Sequence, residues 1–174
     1  PVRLVTFNTH HGVGDDERHD LPRLAKLLHS VDADVICLQE VDRHYGERTE
    51  EVDQALLLSR ALDMQLAWGP AIDEPRADGV QRQFGNALLS RLPILISDVH
   101  PLPGTGEPRS ALRTMLELDG GLNLPKKKRG GRGVSGALAA IDLLQHVERA
   151  VDPADAEDQR ARHFGAKDQV VGDV

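Results

Sequence analysis

The first 40 residues contain two short apolar runs with a helical stripe between them. Val2–Phe7 and Val35–Leu38 are bounded by polar residues, and short runs rich in β-branched side chains predict buried strands. Over 21–31, apolar side chains recur at three- and four-residue spacing, which predicts an amphipathic helix with Asp20 as its N-cap. The order strand, helix, strand predicts a crossover whose two strands end at the same edge of a sheet.

Farther along the chain, the pattern predicts a second helix followed by several strands and tight turns. Thr49 is placed to cap this helix, whose inward positions are Val52, Ala55, Leu56, Ser59 and Leu62. Apolar runs predict four strands, over 65–72, 84–91, 94–99 and 111–118, with polar turns over 73–83 and 100–109. Close spacing favours antiparallel pairing, so we expect an α/β or α+β domain in which helices cover a largely two-layered β core.

The sequence changes character after Gly120–Gly121, so we divide it into residues 1–121 and a different tail, 122–174. Residues 126–132 form a basic linker that is either a solvated run or a contact for a polyanion such as nucleic acid. Helical spacing predicts a helix over 137–151, and a polar segment over 153–163 predicts a marginal or disordered one.

Composition narrows the possible functions. The net charge of -7 and an aromatic content of 3% argue against nonspecific duplex binding and against stacking platforms for single strands. The excess of acid lies in residues 1–121, with 12 Lys and Arg against 20 Asp and Glu. Neither a transmembrane helix nor a signal peptide is visible, although the chain starts without Met. One cysteine, Cys37, permits no internal disulfide, and we expect a cytoplasmic protein.

Polar side chains follow both strands of the predicted crossover. Asn8 ends the first strand, and Glu40 follows the second. A carboxylate in this position is commonly a solvated loop residue, but sites in α/β folds are also built at this rim. Because the two strand ends share one edge, we expect the Asn8 and Glu40 side chains to lie close together.

Four segments together resemble the endonuclease/exonuclease/phosphatase superfamily, over roughly residues 2–121: Leu4–Gly12, Asp34–Asp42, Gly85–Ile94 and Pro108–Arg113. The resemblance implies a four-layered, DNase I-like α/β sandwich and hydrolysis of phosphoester bonds that depends on Mg²⁺ or Mn²⁺. It also implies that Glu40 is the metal ligand, in keeping with the one or two carboxylates that Mg²⁺ requires from a protein.

The same resemblance assigns expected roles to other residues. Asn8 would donate to a phosphoryl oxygen, and His10 would lie near the metal, with His11 a weaker candidate. Asn86 would line the substrate cleft, and Arg113, with Arg109, would contact phosphate. The substrate stays open among nucleic acid, a phospholipid headgroup, an inositol phosphate and a small phosphodiester.

The sequence departs from the family pattern in its second half. After Leu118 it has no Thr–His–Leu strand end, no Asp–X–Asn triplet and no Asp–His pair. We therefore expect a partial sandwich, with the second half missing or replaced by a helical or disordered tail, low stability and impaired activity. The alternative is a non-catalytic remnant or interaction module that uses the basic linker and the helix over 137–151.

Overall fold

The computed structural model describes residues 2–118, 137–144 and 170–173, which form eight strands and two α-helices. The strands are β1 (Arg3–Asn8), β2 (Val35–Arg43), β3 (Gln65–Pro75), β4 (Gln81–Ser90), β5 (Ile94–Leu102), β6 (Arg109–Leu118), β7 (Ala137–Leu144) and β8 (Val170–Asp173). The helices are α1 (Leu21–Val31) and α2 (Gln54–Leu62). Two short 3₁₀ turns span His10–Gly12 and Glu47–Thr49.

The first sheet contains five strands in the order β3-β4-β2-β1-β8. Its β1 and β2 are parallel, in the register Leu4 opposite Val35 through Asn8 opposite Gln39. The other pairs in this sheet are antiparallel. The predicted crossover is therefore confirmed, and so is the antiparallel pairing after it.

Helix α1 has the predicted bounds because its capping signals are local. The Asp20 carboxylate accepts a hydrogen bond from the Arg23 amide at 2.8 Å, and Pro22 lies in the first turn, where its missing N–H costs nothing. Asp32 ends the helix in the left-handed conformation. Leu21, Leu24 and Leu28 are buried against the first sheet.

Helix α2 begins later than predicted. Asp53 is its N-cap and accepts from the Leu56 amide at 2.9 Å, so the prediction that Thr49 caps the helix is wrong. Thr49 instead donates its hydroxyl to the buried Asp42 carboxylate at 3.1 Å. The inward stripe shifts accordingly, since Leu58 is buried whereas Leu56 is exposed.

The second sheet has the order β5-β6-β7, with antiparallel pairing throughout. Leu112 and Leu116 of β6 pack on Val35, Cys37 and Leu88 of the first sheet. The two sheets come close at Gly69, where an added Cβ would lie 2.9 Å from the Leu112 Cβ. The helices cover the other face of the first sheet, so its core is enclosed from both sides.

Two hairpins extend farther than the polar pattern predicts. The segment 73–83, predicted to be a turn, mostly forms the ends of β3 and β4, and β5 likewise continues to Leu102. Charged side chains are compatible with strands here because these ends project into solvent, where Arg82 pairs with Glu74 across the hairpin.

The helix predicted over 137–151 is wrong where the structure describes it. Ala137–Leu144 is strand β7, which pairs with β6 from Ala111 opposite Leu144 to Leu118 opposite Ala137. A short apolar run fits either a buried strand or a helix, and pairing along the open edge of β6 selects the strand. The basic linker over 126–132 and the predicted helix over 153–163 lie outside the described residues.

The fold class predicted from sequence, a partial α/β sandwich, is confirmed by two packed sheets with helices on one outer face. Within the described part of the chain, no helix is long and apolar enough to cross a membrane.

Candidate metal centre

A β-bulge shapes the end of β2. Leu38 pairs with Ala87 and Val41 pairs with Gly85, so Gln39 and Glu40 together lie opposite the single residue between those partners in β4. Glu40 takes a left-handed backbone conformation with φ 55°. The bulge reorients the chain at the position where the carboxylate follows the buried run.

Asn8 and Glu40 meet at the shared sheet edge, as the crossover predicts. The Asn8 Nδ2 donates to Glu40 Oε1 at 2.9 Å, although 32 positions separate the two residues. The Asn8 Oδ1 accepts the His10 amide at 2.9 Å. Asn8 therefore orients the carboxylate with one end of its amide and holds the following turn with the other.

His10, His11 and Glu40 form a cluster suited to a cation. Each can offer one ligand atom, and these atoms lie within 4.8 Å of one another. The His10 Nδ1 lies 3.4 Å from the Val13 carbonyl, and a bond in which Nδ1–H donates there leaves Nε2 as the ligand nitrogen. A carboxylate with two imidazoles is a donor set that divalent metals accept.

The backbone is strained at each of the three residues of this cluster. His10 and His11 each have φ 45°, so all three residues of the cluster adopt left-handed conformations that non-glycine residues seldom take. Such conformations persist only where the surroundings impose them, and they are enriched at functional sites. Here Thr9 contributes, since its hydroxyl lies 2.9 Å from both the Gln39 and the Glu40 carbonyl oxygens and shares its one hydrogen between them.

Gln54, at the start of α2, holds the turn that contains His10 and His11. Its Nε2 donates to the His11 carbonyl at 2.6 Å and lies 3.0 Å from the His19 Nε2. Its Oε1 accepts the Asp42 amide at 3.0 Å. One buried amide thus joins the helix, the strained turn and the strand that carries Glu40.

Electrostatics favour the neutral, metal-binding form of His11. Burial, and next the positive charge of Arg48, lower the pKa of His11 from 6.5 to about 4, with smaller effects from His10 and His19. Its imidazole is therefore uncharged at neutral pH and has a lone pair for a cation.

An ion pair between the buried Asp42 and the exposed Arg48 lies beside the cluster. Asp42 is 0% exposed and accepts two bonds from Arg48, from Nε and from Nη2, each at 2.8 Å. The Arg48 guanidinium also stacks over the Tyr45 ring, 4.2 Å from its centroid, and lies 5.9 Å from the Phe84 centroid. Asp42 and Tyr45 therefore both fix the position of the guanidinium.

Asn86 is fully buried between the sheets. Its Nδ2 donates to the Ser110 carbonyl at 3.1 Å, while its Oδ1 has no hydrogen-bond partner among the described residues. It lies opposite the bulge, next to Gly85, where an added Cβ would lie 2.2 Å from the Gly69 carbonyl oxygen. The structure thus brings Asn86 near the strand end that carries Glu40, but in the interior. Its predicted substrate role stays a prediction.

The structure does not bring Arg113 or Arg109 to the cluster. Arg113 is an exposed residue of β6, opposite Asp98 of β5 in the register. Side chains alternate along a strand, and Leu112 points to the first sheet, so Arg113 faces away from it. Arg109 is exposed at the start of the same strand. Their predicted phosphate contacts stay predictions.

Sequence reasoning missed Gln54 and Arg48 as parts of this region and gave little weight to His11. Gln54 directly follows the Asp53 cap, and it was missed because Thr49 was predicted to cap this helix. Arg48 lies between Glu47 and Thr49 in a highly charged segment, so it resembles an ordinary surface charge. The sequence offers no signal for this pair, because Asp42 lies among the polar residues Glu40 and Arg43 and only the structure shows that it is buried.

The sandwich, with its polar cluster at the ends of β1 and β2, is of the DNase I-like class. The chain belongs to the Endonuclease/Exonuclease/phosphatase family, whose sequence model matches residues 5–170. This match extends past residue 121, beyond the range over which the sequence resemblance was drawn. The family is generally dependent on divalent metals.

Solved structures agree with the fold. An endonuclease/exonuclease/phosphatase protein from Beutenbergia cavernae DSM 12333 superposes with a TM-score of 0.61 at 23% identity, over 91% of this chain and 41% of the other. A family protein from Leptotrichia buccalis C-1013-b gives a TM-score of 0.50 at 18% identity, over 74% of this chain and 57% of the other. D. rerio TDP2, solved with a single-strand DNA product, gives a TM-score of 0.50 at 15% identity, over 92% of this chain and 52% of the other. No curated protein matched significantly. This chain thus spans about half of each solved relative's length.

Proposed function

We propose that this chain carries a divalent-metal site for the hydrolysis of phosphoester bonds. The observation that supports this most is the meeting of Asn8, His10, His11 and Glu40 at the ends of two parallel strands. Glu40, His10 and His11 would hold the cation. Asn8 would act on the Glu40 carboxylate, whose orientation it fixes.

The donor set fits the two metals expected from sequence. A carboxylate oxygen suits both Mg²⁺ and Mn²⁺, and the two imidazole nitrogens favour Mn²⁺ over Mg²⁺. A bound cation supplies Lewis-acid polarisation of a phosphoryl oxygen. The chain's own contribution is to hold the ligands in place before substrate arrives, through Asn8, Thr9 and Gln54.

We propose a phosphodiester as the substrate. D. rerio TDP2, which has a similar fold, was solved with a single-strand DNA product, and this supports a nucleic-acid phosphodiester among the candidates. The net charge of -7 argues for recognition of one or two phosphates at the metal rather than of a long duplex backbone.

The test is hydrolysis of bis-p-nitrophenyl phosphate with Mg²⁺ or Mn²⁺ by the wild type and by Glu40→Gln. We expect the variant to lose at least about tenfold in rate, because it loses the charged ligand of the site. Residues 119–174 contain neither an Asp–X–Asn triplet nor an Asp–His pair, so turnover is expected to be slow and the assay needs long incubation.

Glu107→Gln is the matched control, since Glu107 is an exposed glutamate in the turn between β5 and β6. It should leave the rate unchanged. Equal rates for Glu40→Gln and the wild type would remove Glu40 from the reaction.

The second candidate function, a non-catalytic interaction module, has less support. It relied on a helix over 137–151, and Ala137–Leu144 is instead a strand of the second sheet. The basic linker over 126–132 on which it also relied lies outside the described residues.

A further inference from the structure

We propose that Arg48 is a phosphate-binding residue of this site, a role that neither the family motifs nor the sequence pattern gave it. The inference rests on the proposed function, because the phosphate in question is that of the substrate.

Arg48 is adjacent to the metal cluster through a short chain of contacts. It binds the Asp42 carboxylate, and Asp42 lies two residues beyond Glu40 on the same strand. The Asp42 amide donates to Gln54, which in turn donates to the His11 carbonyl at 2.6 Å. The guanidinium and the cluster therefore belong to one hydrogen-bonded network.

The Arg48 guanidinium has an unused edge. Nε and Nη2 engage Asp42, and no described residue accepts a hydrogen bond from Nη1. Stacking on Tyr45 keeps the plane of the group fixed. A planar fork with one edge anchored and the other edge free is suited to a phosphate, which accepts paired N–H bonds.

Exposure distinguishes Arg48 from a residue that only neutralises a buried acid. Its side chain is 43% exposed, whereas the Asp42 side chain that it binds is 0% exposed. The buried Asp42 carboxylate thus holds the positively charged guanidinium at the protein surface. A phosphate that binds there needs no rearrangement of the guanidinium, and this lowers the entropy cost of binding.

The neighbouring cleft is less suited to a phosphate. It has a volume of about 460 Å³ and is lined by Tyr45, Glu47 and the ends of β3 and β4. Its two arginines pair with exposed glutamates, Arg76 with Glu51 and Arg82 with Glu74, and these carboxylates repel an anion, unlike the buried Asp42. Its remaining carboxylate, Glu47, repels an anion. The cleft is therefore a poorer place for a phosphate than the Arg48 guanidinium.

The test measures binding of inorganic phosphate to the metal-free protein in EDTA by isothermal titration calorimetry. Arg48→Lys is the main variant, because lysine keeps a charge beside Asp42 but has no second edge. Arg48→Ala would leave a buried carboxylate without its cation and could unfold the chain. We expect Arg48→Lys to raise the Kd for phosphate about tenfold or more.

Arg91→Lys is the matched control. Arg91 is also paired with an aspartate, Asp32, at 2.8 Å, and its side chain is 42% exposed, but it lies near the start of β2, at the far end from Glu40. It should leave the Kd unchanged. Thermal unfolding of both variants checks that the fold is kept.

The outcomes separate this inference from the proposed function. Wild-type phosphate affinity in a folded Arg48→Lys variant overturns the role of Arg48, even if hydrolysis still depends on Glu40. If Arg48→Lys loses phosphate binding while Glu40→Gln hydrolyses the substrate at the wild-type rate, the anion site is supported and the metal-dependent reaction is contradicted.

Discussion

At the scale of single residues, His11 links the candidate site to the pH dependence of stability. Burial and Arg48 lower its pKa to about 4 in the folded protein, against 6.5 in the unfolded chain. Between these values the unfolded chain binds a proton at His11 and the folded chain does not. The free energy of unfolding therefore falls as the pH drops through this window.

We expect His11→Gln to reduce this fall by on the order of 1–2 kcal/mol, a figure that allows for the partial exposure of the ring. The measurement is urea unfolding at pH 7 and pH 4.5 in EDTA, with His29→Gln, an exposed histidine of α1, as the matched variant. The same pH dependence in His11→Gln and the wild type would contradict the burial of a neutral imidazole.

Site residues could be predicted from sequence only where topology brings them together. The meeting of Asn8 and Glu40 follows from a crossover with polar residues at both strand ends, and their contact confirms it. His11 was underrated because its position depends on a strained turn. Gln54 could not be predicted because its partner His11 lies 43 positions away, and Arg48 could not because nothing in the polar segment around Asp42 marks that carboxylate as buried.

At the scale of the elements, the β4 strand passes so close to β3 that residue 85 must be glycine. A Cβ there would lie 2.2 Å from the Gly69 carbonyl oxygen and 2.8 Å from the Pro70 Cα, and both are backbone atoms. We expect Gly85→Ala to lower the free energy of unfolding by about 3 kcal/mol or more, since the strands must separate to admit the methyl group.

Urea unfolding measures this loss. Gly104→Ala is the control because nothing lies within 4 Å of a Cβ at that position, so its effect should stay within about 0.5 kcal/mol. If Gly85→Ala were as stable as Gly104→Ala, the close approach of β3 and β4 would be wrong.

Elements with local signals were predicted well, and those decided by tertiary contacts were not. Asp20 and Pro22 define α1 within one turn, so its bounds needed no other information. The predicted start of α2 was wrong because the Thr49 hydroxyl donates to the Asp42 carboxylate instead of capping the helix. The run over Ala137–Leu144 has no local feature that separates strand from helix, and only the edge of β6 decides it.

At the scale of the whole molecule, two packed sheets enclose a shared core, and one sheet edge carries the candidate metal centre. Low stability was expected from an apolar face left uncovered, but Leu112 and Leu116 of the second sheet cover that face of the first. The stability itself stays a prediction. The division at residue 121 also stays a prediction, although the family match spans 5–170.

The candidate metal centre is tested by Mn²⁺ binding to the metal-free protein, which is measured as the loss of the electron paramagnetic resonance signal of the free ion. We expect the wild type and Glu107→Gln to bind one ion with equal affinity, and Glu40→Gln to bind it at least about tenfold more weakly. Equal Mn²⁺ affinity in Glu40→Gln and the wild type, or no binding to the wild type, would contradict a metal centre at the ends of β1 and β2.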